Sequence, residues 1–307
     1  MAIVLGPNQY GKAEVRVVAV DRSTPRHTFV DLNVSSSLRG DFTAAHTSGD
    51  NAHVLTTDAQ KNTVFAFARD GVGTPEEFGL RLARHFAGSY DWISGARVAV
   101  ESYGWDRITV AGRPHDHAFS RTGDEVRTAV VTVDGSGPGR TAHVLAGLTG
   151  LVVLKTTGSE FRGFPRDRYT TLAGTDDRVL ATAVTARWRY TGTDADELPF
   201  DELFTGVRTT LLETFASTHS LALQQSLHAM GEAVLERFPH IAEIRMSMPN
   251  KHHFLQDLSA YGLANTPEGG AVVYHADDRP YGLIEGSVLR DDVPSAEIAW
   301  QGTPGFC

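Results

Sequence analysis

Residues 28–35, TFVDLNVS, alternate in hydropathy. Val30, Leu32 and Val34 share one face, and Asp31, Asn33 and Ser35 share the other, the period of a half-buried strand. AEVRVVAV at 13–20 is rich in β-formers and reads as a second strand. Residues 40–54 are rich in Gly, Asp and His and read as a loop. TTDAQKNTVFAFARDG follows. Thr57 and Gln60 have the spacing of a capping box, Asp58 suits the positive start of a helix, and Gly71 suits its end, so a helix is predicted over 58–69. Thr74-Pro75-Glu76-Glu77 is a second capping box with proline at the first helical position, and Phe78, Leu82 and Phe86 define one apolar face of a helix reaching 88. ARVAVESY (96–103) and EVRTAVVTVD (125–134) read as strands, which makes the first half β-β-α-α-β-β.

DGSGPGR at 134–140 is the strongest linker signal in the chain. After it the order recurs. Strands are predicted at 142–155 and 178–190, helices at 201–217 and 221–237, and strands at 241–248 and 282–289. Leu227, Met230, Val234 and Phe238 form the apolar face of the second of these helices. The expected fold is α+β, with units at 1–137 and 138–307. Each unit is a four-stranded antiparallel sheet with two helices on one face. The other faces and the sheet edges need cover or solvent, and closing several sheets into a barrel on oligomerisation removes the edges.

Composition narrows the function. The 307 residues carry a net charge of −9 with no basic block, which argues against a nucleic-acid partner. No apolar run reaches the roughly 18 residues of a membrane span, and MAIVLGPNQYGK lacks the pattern of a secretory signal. The one cysteine, Cys307, offers neither an internal disulfide nor a zinc pattern, which fits a reducing cytoplasmic setting. Only Lys12, Lys61, Lys155 and Lys251 are lysines among 28 basic residues. A lysine kept against that bias is either a packed stem or a group that must lose its proton, which arginine does not do. MPNKHHF at 248–254 sets Asn250, Lys251, His252 and His253 side by side, as a solvated loop or as reacting groups.

Six segments decide between these readings: YGKAEVRV (10–17), TTDAQKNTVF (56–65), LTGLVVLKTTGSEFRGFPRDRYTTL (148–172), DRVLATAVTARWRY (177–190), LALQQSLHAMGEAVLERF (221–238) and SMPNKHHF (247–254). In sequence and spacing they resemble the urate oxidase (uricase) family of tandem tunnelling-fold proteins. The resemblance implies oxidation of urate by O2 and water to 5-hydroxyisourate and hydrogen peroxide, with no metal or organic cofactor. It further implies a homotetramer with active sites at subunit interfaces.

The resemblance assigns residues as well. Lys12 of YGK, Thr57 and His252 become a catalytic proton relay; a desolvated ammonium gives up its proton more readily. Read from the residues alone, Thr57 is only a helix cap. Thr57 and the backbone of Asp58 meet the anionic purine at a helix start. Phe161 stacks on the purine ring, and the fork of Arg178 binds it bidentately. Gln224, rather than its neighbour Gln225, offers an amide to the purine edge, and Leu223 offers its N–H. Asn250, with Thr57, holds O2 or water over the ring, while Lys251 and His253 are left as structural groups. Two alternatives stand beside this reading. His115-Asp116-His117 has the spacing of a two-imidazole metal site, which with His252 and His253 would suit a metal-dependent purine or pterin hydrolase or cyclohydrolase. The other is a purine-binding module without turnover.

Overall fold

The structure is a computed structural model that describes residues 1–135, 137–192, 198–267 and 270–303. Strands β1 (Tyr10–Asp21), β2 (Thr28–Gly40), β3 (Ile93–Val110), β4 (Arg113–Asp134), β5 (Thr141–Lys155), β6 (Leu180–Tyr190), β7 (Ile241–Leu255) and β8 (Tyr274–Leu289) form one antiparallel sheet in chain order. Helices α1 (Thr43–Thr47), α2 (Thr57–Arg69) and α3 (Pro75–Gly88) lie between β2 and β3. Helices α4 (Phe200–Ser217) and α5 (Leu223–Arg237) lie between β6 and β7, and the short α6 (Glu297–Trp300) follows β8. The fold is α+β, with the repeated strand and helix order that the sequence pattern anticipates.

The two four-stranded sets are not separate sheets. β4 pairs with β5 from Val126↔Thr149 to Asp134↔Thr141, so both sets merge into one. The described residues of the stretch 134–140, read above as a linker, lie at the β4–β5 connection, where Gly135 takes φ +95°.

The long helices pack on one face. α2 lies on β1, α3 on β3 and β4, and α5 on β7 and β8 with α4 beside it. Phe78, Leu82 and Phe86 of α3 are fully buried there, as are Met230 and Val234 of α5. Successive strand residues point to opposite faces. Val131 joins this core, while Val130 packs with Leu145, Ala299 and Trp300 in a smaller cluster on the other side. α6 thus covers part of the second face. Trp300 Nε1 donates to Glu243 Oε2 at 3.0 Å and Arg97 donates to the Ala299 carbonyl at 3.2 Å. On that second face the outer strands expose apolar side chains, Val18 and Val20 on β1 and Leu283 and Leu289 on β8. Among the described residues no helix is long and apolar enough to cross a membrane.

Several local expectations change. The stretch 40–54 contains α1 rather than loop alone. β7 runs on to Leu255, so Asn250–His253 are strand residues, with Asn250, His252 and His253 paired to Gly282, Asp277 and Ala276 of β8. The cap of α2 is Thr56, not Thr57. Thr56 has non-helical backbone (φ −57°, ψ 145°), and its hydroxyl accepts from the Ala59 N–H at 3.1 Å. Thr57 is the first helical residue. Gln60 does not reach back to the cap, because its amide is buried and bonded elsewhere. The expectation for Cys307 lies outside the described residues.

Candidate active site

The first group of candidate residues sits where β1, β2 and α2 meet. Tyr10 donates its hydroxyl to the Leu55 carbonyl at 2.9 Å, one residue before the Thr56 cap. Burial pushes the Tyr10 pKa above its ordinary value. Gly11 is required sterically: a Cβ there would lie 1.8 Å from the Ser36 carbonyl oxygen. Lys12 is half-buried and pairs with Ser36 of β2. Just past it β1 bulges, with Glu14 at φ +57°. The Lys12 N–H donates to Ser36 Oγ at 3.4 Å and the Glu14 N–H to Ser35 Oγ at 3.0 Å, so two serine hydroxyls replace regular ladder bonds.

Thr57 and Asp58 occupy the first turn of α2, where backbone N–H groups have no intrahelical acceptor. Asp58 is exposed and its pKa is lowered, first by its hydrogen bond to Lys61 and then by that cation's charge. Lys12 adds a smaller lowering.

The second group comes from the other half of the sheet. Phe161 is half-buried in the loop after β5, held by paired backbone bonds to Thr175 at 2.9 and 3.0 Å. Its ring stacks on Phe164, with centroids 5.1 Å apart and planes 17° from parallel. Arg178 lies two residues before β6, with its guanidinium carbon 5.3 Å from the Phe161 ring centre. Burial lowers the Arg178 pKa from its ordinary value, and its buried Nε has no hydrogen-bond partner. A buried arginine N–H without a protein partner is costly, so an acceptor placed beside it would be favourable.

The same loop is tied to the start of α5. Glu160 N–H donates to the Ser220 carbonyl at 2.7 Å, and Ser220 N–H to the Gly158 carbonyl at 2.9 Å. Leu223 is buried and opens α5, with no side-chain cap at Ala222, so its first-turn N–H groups are open to an acceptor. Both glutamines are exposed, and Gln225 accepts the Leu221 N–H at 2.8 Å. Asn250 pairs with Thr182 of β6, four residues on from Arg178. His252 follows a register shift in β7 and stacks on Phe254 at 5.6 Å. His253 Nδ1 lies 3.0 Å from the Lys251 carbonyl oxygen, which ties it to its own strand.

The chain therefore brings together Lys12, Thr57 and Asp58, and separately Phe161, Arg178, Leu223, Gln224, Asn250 and His252. It does not bring the two groups together. β1 and β7 are six strand spacings apart, roughly 30 Å along the sheet at about 4.8 Å each. The histidine cluster does not assemble either. His115 and His117 lie edge-on at 4.5 Å near the outer end of β4, three strands from β7. Among the described residues no group of three or more His, Cys, Asp or Glu side chains converges to hold a metal ion. The sequence reading gives Gln60 a capping role and Ser36 none, whereas the structure joins them by a buried hydrogen bond of 2.8 Å. The available signal was a polar Gln60 heading the apolar stripe continued by Val64 and Ala68.

An eight-stranded sequential sheet with helices on one face, carrying aromatic, guanidinium and amide groups at its mid-chain loops, defines a protein of the tunnelling fold. A family model described as Uricase matches residues 8–132 and 144–285. The uricase of Arthrobacter globiformis is 56% identical over 305 residues, covering 99% of this chain and 96% of that protein. Its crystal structure superposes with a TM-score of 0.90, covering 98% of this chain and 99% of that one. The uricase of Aspergillus flavus is 37% identical over 298 residues, covering 94% of this chain and 97% of that protein. The chain belongs to the uricase family, and it is an oxidoreductase that oxidises urate. The hydrolase and non-catalytic readings are set aside with that.

Proposed function

We propose that this enzyme converts urate, O2 and water to 5-hydroxyisourate and hydrogen peroxide without metal or organic cofactor, in a homotetramer whose active sites are each shared by two chains. The observation that carries the reading is Arg178. Its half-buried guanidinium sits beside the Phe161 ring with an unpartnered Nε. A flat anionic purine stacked on Phe161 would supply the missing acceptor and accept a bidentate fork. The exposed Gln224 amide and the open Leu223 N–H would complete the purine edge, with Asn250 holding O2 or water above the ring.

Chemistry then needs proton transfer. Urate binds as an anion and must lose a further proton before it gives electrons to O2. Lys12, relayed through Thr57 and His252, removes that proton. Because Thr56 caps α2, the Thr57 hydroxyl has no capping bond to compete with this relay. The Asp58 N–H at the helix start favours the anion. O2 takes two electrons and two protons to leave as hydrogen peroxide, and water supplies the oxygen added at C5. The enzyme contributes positioning, electrostatics and proton transfer.

Two observations support sharing between chains. The groups lie roughly 30 Å apart along one sheet, at about 4.8 Å per strand. The outer strands β1 and β8 expose apolar side chains that a second chain would cover. The division of the chain into units at 1–137 and 138–307, and a cytoplasmic location consistent with the single cysteine, are parts of the same proposal. The test is urate loss and peroxide yield in air after exhaustive chelation. Equimolar peroxide at an undiminished rate is expected. Activity abolished by the chelator and restored by a divalent metal would overturn cofactor independence.

A further inference from the structure

Gln60 is an anomaly of composition. Residues 60, 64 and 68 form the buried stripe of α2, and the other two are Val64 and Ala68. A valine or leucine at position 60 would continue the stripe and need no hydrogen bond. Instead a fully buried amide stands there, and such a group is tolerated only when both of its ends are bonded. Both are. Gln60 Oε1 accepts from Ser36 Oγ at 2.8 Å, and Gln60 Nε2 donates to the Leu55 carbonyl at 3.3 Å.

The two partners lie on either side of the proposed proton relay. Ser36 is 7% exposed, and its hydroxyl, having given its proton to Gln60, accepts the Lys12 backbone N–H at 3.4 Å. Leu55 precedes the Thr56 cap, and its carbonyl also accepts the Tyr10 hydroxyl at 2.9 Å. The bonds therefore close a ring. From Lys12 it runs through Ser36 and Gln60 to Leu55, and from Leu55 through Tyr10 and Gly11 back to Lys12. The ring spans strand and helix at the bulge of β1, where the regular ladder is interrupted and cannot by itself fix the lysine. The close approach of Gly11 to the Ser36 carbonyl keeps the two strands in the spacing that the serine hydroxyl requires.

We infer that Ser36 and Gln60 are positioning residues for urate oxidation: their buried hydrogen bond fixes the Lys12 backbone relative to the start of α2, and so sets the separation of Lys12 and Thr57. The inference rests on the proposed roles of Lys12 and Thr57. Gln60 is fully buried and Ser36 is nearly so, and both are bonded within the protein. Each acts on the reaction through the geometry of the pair, where an error near 1 Å costs up to about 100-fold in rate.

The experiment measures kcat, KM and thermal midpoint for Gln60→Leu, Ser36→Ala, Gln60→Glu and Lys12→Met. Gln60→Leu and Ser36→Ala each remove the strut, and both should lower kcat by about 10-fold or more, with KM within about 2-fold because the purine contacts lie elsewhere. Gln60→Glu carries the pH signature. While the introduced carboxyl group is neutral, it can accept from Ser36 and donate to Leu55; once ionised, it cannot donate. The kcat of this variant relative to wild type should therefore be highest at the acid end and fall as pH rises, a trend that loss of packing alone would not produce. Wild-type kcat in both Gln60→Leu and Ser36→Ala, with Lys12→Met inactive, would overturn the positioning role and leave the relay standing. Losses of kcat that merely track a falling thermal midpoint, with a flat Gln60→Glu ratio across pH, would overturn it as well. Full turnover in Lys12→Met would remove the relay itself and the inference with it.

Discussion

The four lysines show why residue type alone does not reveal role. Lys61 pairs with Asp58 one turn of α2 away. Lys155 donates to the Thr218 carbonyl at 2.6 Å and to the Phe215 carbonyl at 3.4 Å, satisfying the end of α4; burial lowers its pKa. Lys251 sits in β7 opposite Ala181. Only Lys12 follows a glycine that no other residue can replace without a clash and precedes a bulge. Lys12→Met keeps the stem and removes proton exchange, and kcat is expected to fall by about 100-fold or more, while binding of a urate analogue is largely kept. Steady-state kinetics and analogue titration decide it; turnover near wild type removes Lys12 from the mechanism. Arg178→Lys keeps the charge and loses the fork. Analogue binding should weaken by about 1.5–3 kcal/mol, and an unchanged dissociation constant in calorimetry would contradict the placement. Lys12, Arg178 and Asn250 stand out as candidates in the sequence because each sits in a distinctive run of neighbours. Ser36 and Gln60 do not, because their buried hydrogen bond joins residues 24 positions apart, which no local pattern encodes.

At the scale of elements, the alternation of 28–35 and the apolar faces of α3 and α5 place strands and helices close to their observed positions. Errors arise where polar groups find partners that the sequence does not display. TTDAQ offers two adjacent threonines, and capping-box spacing selects Thr57. The structure uses Thr56, because the Gln60 amide is committed to Ser36 and Leu55 and leaves the cap with one hydroxyl bond to Ala59. Removing that bond by Thr56→Ala should lower unfolding free energy by about 1 kcal/mol. Thr57→Ala should change stability much less while abolishing turnover. Chemical denaturation of both variants checks this, and equal destabilisation by the two would mean that the cap is not confined to Thr56. The polar run Asn250–His253 gave no strand signal because the hydropathy period stops at Met248. Pairing with β8 extends the strand, and pairing partners are long-range information.

At the scale of the molecule, hydropathy predicts two sheets, and the β4–β5 hairpin merges them into one. Glycine and proline in DGSGPGR mark a chain reversal as readily as a tether, and only the pairing on either side distinguishes the two. The long sheet then sets the central problem of the account. It holds Lys12 and Thr57 near one edge, and Arg178, Gln224, Asn250 and His252 toward the other. On the residue roles proposed above, a complete site takes a second chain placed by two-fold symmetry, so that the first half of one meets the second half of its partner.

Subunit complementation tests this most directly. Thr57→Ala and Arg178→Ala proteins, each nearly inactive alone, are unfolded and refolded together, and mixed oligomers are verified by differential tagging. Random pairing makes about half of the dimers mixed, and each mixed dimer carries one doubly damaged site and one intact site. The account predicts recovery to about a quarter of wild-type activity. A mixture that demonstrably contains mixed oligomers yet stays as inactive as its parents would contradict the shared site and require Thr57 and Arg178 to act within one chain.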